Sequence, residues 1–169
     1  KSSCLLAANF YNYETLRGIL QSAADLNKPV ILQLTKGSID YLRLQVAVSM
    51  ARAALQEFKV EGWIHLDHAS SYELIQACLE AGFDSVMIDA SEKPLEENIA
   101  ITKQVVDLAA RYDANVEAEL GYVAKLGQSR EKTGLTEPDE AKYFIQETGA
   151  DARAVASGSA HGFYTEERR

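Results

Sequence analysis

All three histidines of the 169 residues lie at the ends of two apolar runs. In the first, Trp63-Ile64-His65-Leu66-Asp67-His68, an imidazole, a carboxylate and a second imidazole follow one another closely. The second run, Ala154 to Ala156, leads to Gly158-Ser159-Ala160-His161-Gly162. Neutral imidazoles from two strand ends, joined by a third donor and one open position, make the donor set of a catalytic zinc. His68 and His161 are therefore candidate metal ligands. Asp67, next to a ligand, has the chemistry of a general acid/base working beside a Lewis acid. The competing account is structural: each histidine bonds a nearby carbonyl, and Asp67 caps the following helix, a task Ser70 or Ser71 could do equally well. His65 shares the face of Asp67 by alternation and falls one layer deeper. It reads as a supporting or core histidine rather than a ligand.

Further carboxylates end two other apolar runs. Glu117 and Glu119 lie on one face of Val116 to Leu120, with Glu119 at the run's end. Glu119 could ligate a metal or support a ligand. An internal ion pair is the alternative, because buried carboxylates need partners. Asp89, after Asp84 to Ile88, carries the same two readings. Glu92, Glu96 and Glu97 read as solvated helix surface.

Strand-like and helix-like runs that alternate along the whole chain must position these groups. Strands are expected at Cys4 to Asn9, Pro29 to Gln33, Gly62 to Leu66, Asp84 to Ile88, Val116 to Leu120 and Asp151 to Ala156. Helices are expected at Tyr13 to Leu26, Ile39 to Phe58, Ser71 to Ala81, Leu95 to Tyr112 and Pro138 to Glu147. Ser71 is a plausible N-cap, Gly82 a C-cap and Pro138 an N1 proline. Six βα units with largely apolar strands imply a parallel sheet covered by helices. An open doubly wound sheet and a (β/α)8 barrel both fit. No glycine-rich fingerprint follows the first strand, where Asn9-Phe10-Tyr11-Asn12 stands. Polar residues instead follow nearly every strand, as at the mouth of a barrel. The expectation is a single α/β domain over 1–169, a TIM-type barrel of which the chain supplies about six units. Residues 121–136 form its longest unstructured segment, either a lid or a plain loop.

Composition narrows the partners. A net charge of −8, with no lysine or arginine block, argues against nucleic acid or an anionic membrane. A local cationic spot could still receive a phosphorylated small molecule. No apolar run approaches the roughly 20 residues that span a bilayer. Cys4 and Cys78, both in apolar contexts, read as buried thiols in a reducing compartment, and a cytoplasmic location is the expectation.

Taken together, the segments resemble the class II, metal-dependent fructose-bisphosphate aldolase family and its tagatose- and ketose-bisphosphate relatives. The resemblance rests on Ala8-Asn9-Phe10 with Glu14-Thr15-Leu16, on Pro29 to Gln33, and on His65-Leu66-Asp67-His68. It continues through Ala81 to Asp89, Glu96-Glu97-Asn98-Ile99, Val116 to Gly121 and Gly158 to Gly162. It implies a TIM barrel that catalyses reversible aldol cleavage of a ketose bisphosphate to dihydroxyacetone phosphate and an aldehyde, a lyase reaction of carbohydrate metabolism such as glycolysis. His68 and His161 would ligate zinc, with Glu119 an alternate ligand or close partner. Asp67 would be the acid/base, while His65 and Asp89 would support the ligands from behind. Asn9, Gln33, Thr35 and Gly162 would line the substrate pocket, Gly162 where backbone amides approach a phosphate. The implied cofactors are Zn2+ and, optionally, a monovalent cation, and the implied assembly is a homo-oligomer.

The third zinc histidine and most of the phosphate loop belong, by the same likeness, to strands seven and eight, beyond this sequence. Strand six departs from the family at Arg153 and Ser157, where aliphatic residues are expected. Two other readings therefore stand beside the aldolase. One is a non-catalytic, truncated or engineered barrel fragment whose open edges associate with a partner chain. The other is a different metal-dependent barrel lyase or hydrolase.

Overall fold

Each strand pairs with the one that precedes it in the chain, and every pair is parallel. The computed structural model describes residues 4–121 and 136–155. Its strands are β1 (Leu6–Asn9), β2 (Val30–Thr35), β3 (Gly62–Ala69), β4 (Ser85–Ile88), β5 (Asn115–Leu120) and β6 (Ala152–Val155). The crossovers carry α1 (Tyr13–Leu26), α2 (Lys36–Leu42), α3 (Leu44–Phe58), α4 (Tyr72–Glu80), α5 (Leu95–Ala109) and α6 (Pro138–Thr148). A doubly wound sheet reverses its strand order at a switch point. The order β1-β2-β3-β4-β5-β6 has no reversal, so the sheet curls as part of a (β/α)8-type barrel.

Alternation along the strands separates core from site. Val30, Leu32 and Leu34 of β2 are buried, while Ile31, Gln33 and Thr35 between them are only partly covered. The first set joins Ile64, Leu66, Val86, Val116 and Ala118 against helix residues such as Leu16, Leu20, Ala51, Leu55 and Ile75. Ala47, Ala51 and Ala54 give α3 a buried stripe of small side chains, which lets that helix approach the sheet closely. The approach is tight at Gly62, where an added Cβ would stand 2.8 Å from the Val30 carbonyl oxygen and 2.6 Å from a Leu55 methyl.

Local capping explains where the helices begin. Asn12 and Thr15 form a reciprocal capping box at α1, the Asn12 carboxamide oxygen accepting from Thr15 N at 2.9 Å. Ser71 Oγ accepts from Leu74 N at α4, and Pro138 occupies the first turn of α6 as expected.

Several expectations need correction. The single helix expected over Ile39 to Phe58 is two, broken at Arg43, whose φ of 71° and ψ of 133° no helix continues through. The helix after β4 ends at Ala109 and tightens into a 3-10 turn over Ala110–Tyr112. β3 does not stop at Leu66 but runs on to Ala69. Cys78 is buried, which pushes its thiol up to about 12, but Cys4 is exposed. Arg153 avoids the cost of a buried charge because its face of β6 is exposed, and its guanidinium donates to the Ala141 carbonyl at 2.9 Å. Ser157, His161, Gly162 and nearly all of the expected lid over 121–136 lie outside the described residues. Among the described residues, no helix is long and apolar enough to cross a membrane.

Candidate metal centre and acid/base site

Simple alternation cannot present both Asp67 and His68 to the barrel mouth, since neighbours on a strand face opposite ways. The backbone resolves this with an irregularity in β3. The β3–β4 register shifts between Leu66 and Ala69, and His68 adopts a left-handed φ of 48°. Such bulges re-aim a side chain, and a non-glycine residue held in this region is strained. Here the bulge turns the imidazole towards the ends of β4 and β5.

Asp67 is held by two amides. Asn9 Nδ2 donates to its Oδ2 at 2.8 Å and Gln33 Nε2 to its Oδ1 at 3.4 Å. Asn9, Gln33 and His65 share one row of the sheet register, and Asp67 stands one residue pair further towards the mouth, level with Thr35. Both carboxylate oxygens are thus oriented from below and to one side. Ser71 already caps α4, so Asp67 is not spent on that helix.

Level with Asp67, three donors converge. His68 Nδ1 lies 3.2 Å from Asp89 Oδ2 and 3.3 Å from Glu119 Oε2, and its Nε2 is 3.9 Å from Asp67 Oδ1. Ligand atoms of His68, Asp89 and Glu119 all fall within 4.8 Å of one another. The hydrogen bond to Asp89 and the close approach of Glu119, reinforced by the charges of Asp67 and Glu119, raise the imidazole to about 10 against the opposing effect of burial. The same imidazole lowers Asp89 to about 2, helped by Ser91, whose hydroxyl and backbone N–H both donate to Oδ1. His68 moves further than Asp89 because it collects from three carboxylates, whereas Asp89 faces one cation.

This arrangement suits a cation. Glu119 is 4 % exposed, and its Oε2 has no partner of hydrogen-bond geometry among the described residues, although His68 is within ion-pair reach. A buried carboxylate oxygen left in that state is costly. An imidazole and two carboxylates are donors that divalent zinc accepts. Without a metal, the proton on His68 supplies the positive charge that the acids require.

A second polar layer lies beneath. His65, buried, meets Ser85 Oγ at 2.8 Å through Nδ1, and its Nε2 faces Glu117 Oε2 at 3.4 Å. The deeper position expected for His65 is thus observed, and each glutamate of β5 pairs with a histidine of β3. Thr35 sits level with Asp67 in the register, but its hydroxyl is occupied at the N-terminus of α2, where it accepts from Ser38 N and lies 3.1 Å from Ser38 Oγ.

The structure therefore gathers Asn9, Gln33 and Asp67 into one cluster and His68, Asp89 and Glu119 into another beside it. Asp89, expected behind the ligands, stands level with Glu119 against His68. Ser85 gave no sequence signal as a partner of His65, because a serine at a strand start has no distinctive pattern. Asn98 carried no assigned role, yet its side chain bonds the backbone of Glu119.

Comparisons with known proteins identify the family. The family described as fructose-bisphosphate aldolase class-II matches residues 1–169. A fructose-bisphosphate aldolase of Giardia intestinalis is 41% identical over 160 residues, covering 94% of this chain and 50% of its own length. A D-tagatose-1,6-bisphosphate aldolase subunit of Klebsiella oxytoca is 39% identical over 165 residues, covering 95% of this chain and 58% of its own. The crystal structure of the YdjI aldolase from Escherichia coli K12 superposes with a TM-score of 0.83 at 34% identity, covering 94% of this chain and 57% of that one. The chain spans about half the length of the curated relatives it matches. With a match across its whole length, strand ends that carry a coherent acid and donor cluster, and a shared fold, the chain belongs to the class II fructose-bisphosphate aldolase family.

Proposed function

We propose that the protein is a zinc-dependent lyase that reversibly cleaves a ketose bisphosphate of the fructose or tagatose type into dihydroxyacetone phosphate and an aldehyde. The observation that carries the reading is the Asp67 carboxylate, fixed by Asn9 and Gln33 beside the three donors His68, Asp89 and Glu119. In cleavage, Asp67 takes the proton of the substrate hydroxyl on the aldehyde side. The carbon–carbon bond then breaks and the hydroxyl-bearing carbon becomes the aldehyde carbonyl. The electron pair passes to the ketone half as an enediolate, which takes up a proton from water at carbon to give dihydroxyacetone phosphate. In the reverse direction Asp67 returns the proton. Asn9 and Gln33 hold the carboxylate so that its remaining lone pairs face the mouth, and thereby fix where the hydroxyl must sit. A divalent ion held by His68 with Glu119 or Asp89, and by His161, would supply Lewis-acid stabilisation of charge on the ketone oxygen. Gly162 and Thr35 line the substrate pocket in this reading, and homo-oligomeric assembly and a cytoplasmic location belong to it.

Calorimetric titration with zinc tests the metal half directly. Stoichiometric binding is expected for the unmodified protein, with loss of affinity in both His68→Ala and His161→Ala. Equal binding by all three would contradict the reading.

A further inference from the structure

Two polar side chains of α5 are buried without facing the candidate site. Asn98 is 2 % exposed and Thr102 fully enclosed, on a helix face otherwise made of Ile99, Val105, Leu108 and Ala109. An aliphatic residue would pack there without the cost of burying a carboxamide. Both ends of the carboxamide are bonded instead. Asn98 Nδ2 donates to the Glu119 carbonyl oxygen at 3.0 Å, and Asn98 Oδ1 accepts from Thr102 Oγ1 at 3.1 Å. The Glu119 carbonyl can only accept and so takes the Nδ2 side of the amide, and the Thr102 hydroxyl, donating to Oδ1, holds the amide in that orientation.

The placement is what gives these bonds a consequence. Asp89 sits at the entrance of the β4–α5 connection, where its backbone N–H donates to the Ala69 carbonyl at 2.8 Å. Glu119 ends β5. Asn98 ties the helix that follows Asp89 to the peptide that carries Glu119. No side-chain cap holds the start of α5, whose N-cap is Pro94. We infer that Asn98, oriented by Thr102, is a positioning residue for the donor cluster, setting the Glu119 carboxylate against Asp89 and His68 from behind. This inference rests on the metal reading of that cluster.

Cobalt serves as the probe, since its visible spectrum reports the geometry of its ligands and its affinity can be measured without turnover. Asn98→Ala is expected to weaken cobalt binding by about 10–100-fold, the usual effect of removing a group that orients a ligand, and to change the spectrum. Thr102→Val should act in the same direction, and Thr102→Ser, which keeps the hydroxyl, should restore the wild-type affinity and spectrum. Ile99→Ala, a neighbouring cavity on the same helix, provides the control: it lowers Tm but leaves cobalt affinity and spectrum as in the wild type. The inference is overturned if Asn98→Ala retains wild-type affinity and spectrum, or if Ile99→Ala and Asn98→Ala weaken binding alike. Should Asn98→Ala not fold, the Thr102→Val and Thr102→Ser pair decides, a shared wild-type spectrum counting against the inference. Cobalt binding that ignores His68→Ala would instead contradict the metal reading itself.

Discussion

His68 concentrates most of the site's electrostatics in one side chain. Raised from 6.5 to about 10 by Asp89 and Glu119, it stays protonated at neutral pH in the metal-free protein. A metal must displace that proton, so affinity rises with pH until the imidazole is neutral. Stability follows the opposite course. An unfolded histidine titrates near 6.5, so the stabilisation from the charged form is complete below that pH and lost as pH climbs to about 10. Asp89, lowered from 3.8 to about 2, contributes above pH 3.8 and loses its contribution as pH falls to about 2. The two shifts share the His68–Asp89 contact and do not add. Urea denaturation of the chelator-stripped protein should therefore show stability declining between pH 6.5 and 10. His68→Asn, which keeps a residue tolerant of left-handed backbone, should abolish the decline between pH 6.5 and 9.0, below the range in which the buried Cys78 thiol contributes. The residue types were legible from the sequence: Asp67, His68 and Glu119 stand at strand ends, where chemistry collects. Their partners were not, since side-chain pairing across strands depends on a register that one chain's pattern does not set.

At the level of elements, the bulge in β3 and the break after α2 are two irregularities of the backbone, and the first shapes the mouth. Alternation read from the sequence assigns Asp67 and His68 to opposite faces, and only the left-handed turn at His68 brings them to one side. No residue type signals it, as histidine has no preference strong enough to predict a positive φ. The α2–α3 break was hidden for a similar reason: Ile39 to Phe58 is rich in helix formers, and Arg43 gives no breaker signal. Its backbone nonetheless lies where glycine sits freely and a Cβ is strained. Relief of that strain should outweigh the extra chain entropy of glycine, so Arg43→Gly is expected to stabilise the protein by about 1 kcal/mol, read as a shift in the urea midpoint. By contrast, α4 and α6 were legible almost to their ends, because Ser71 and Pro138 are start signals with a physical mechanism.

Across the whole molecule, barrel and open sheet were separable before any coordinates by one feature, polar residues following nearly every strand. The sequential strand order bears that out. Asn9, Gln33, Asp67, His68, Asp89 and Glu119 come from β1, β2, β3, the end of β4 and β5, so the proposed centre exists only when five strands are in register. Both sheet edges, at β1 and β6, remain unpaired among the described residues, and Leu6 and Val155 are exposed there. The chain spans about half the length of the curated relatives it matches. The decisive measurement is kcat for zinc-dependent cleavage of a ketose bisphosphate by the wild type and by Asp67→Asn, with zinc affinity determined for both. The account predicts kcat lower by about 10²–10⁴-fold in Asp67→Asn, the range for loss of a general acid/base, with zinc still bound. Cleavage by Asp67→Asn within a few-fold of the wild type would contradict it.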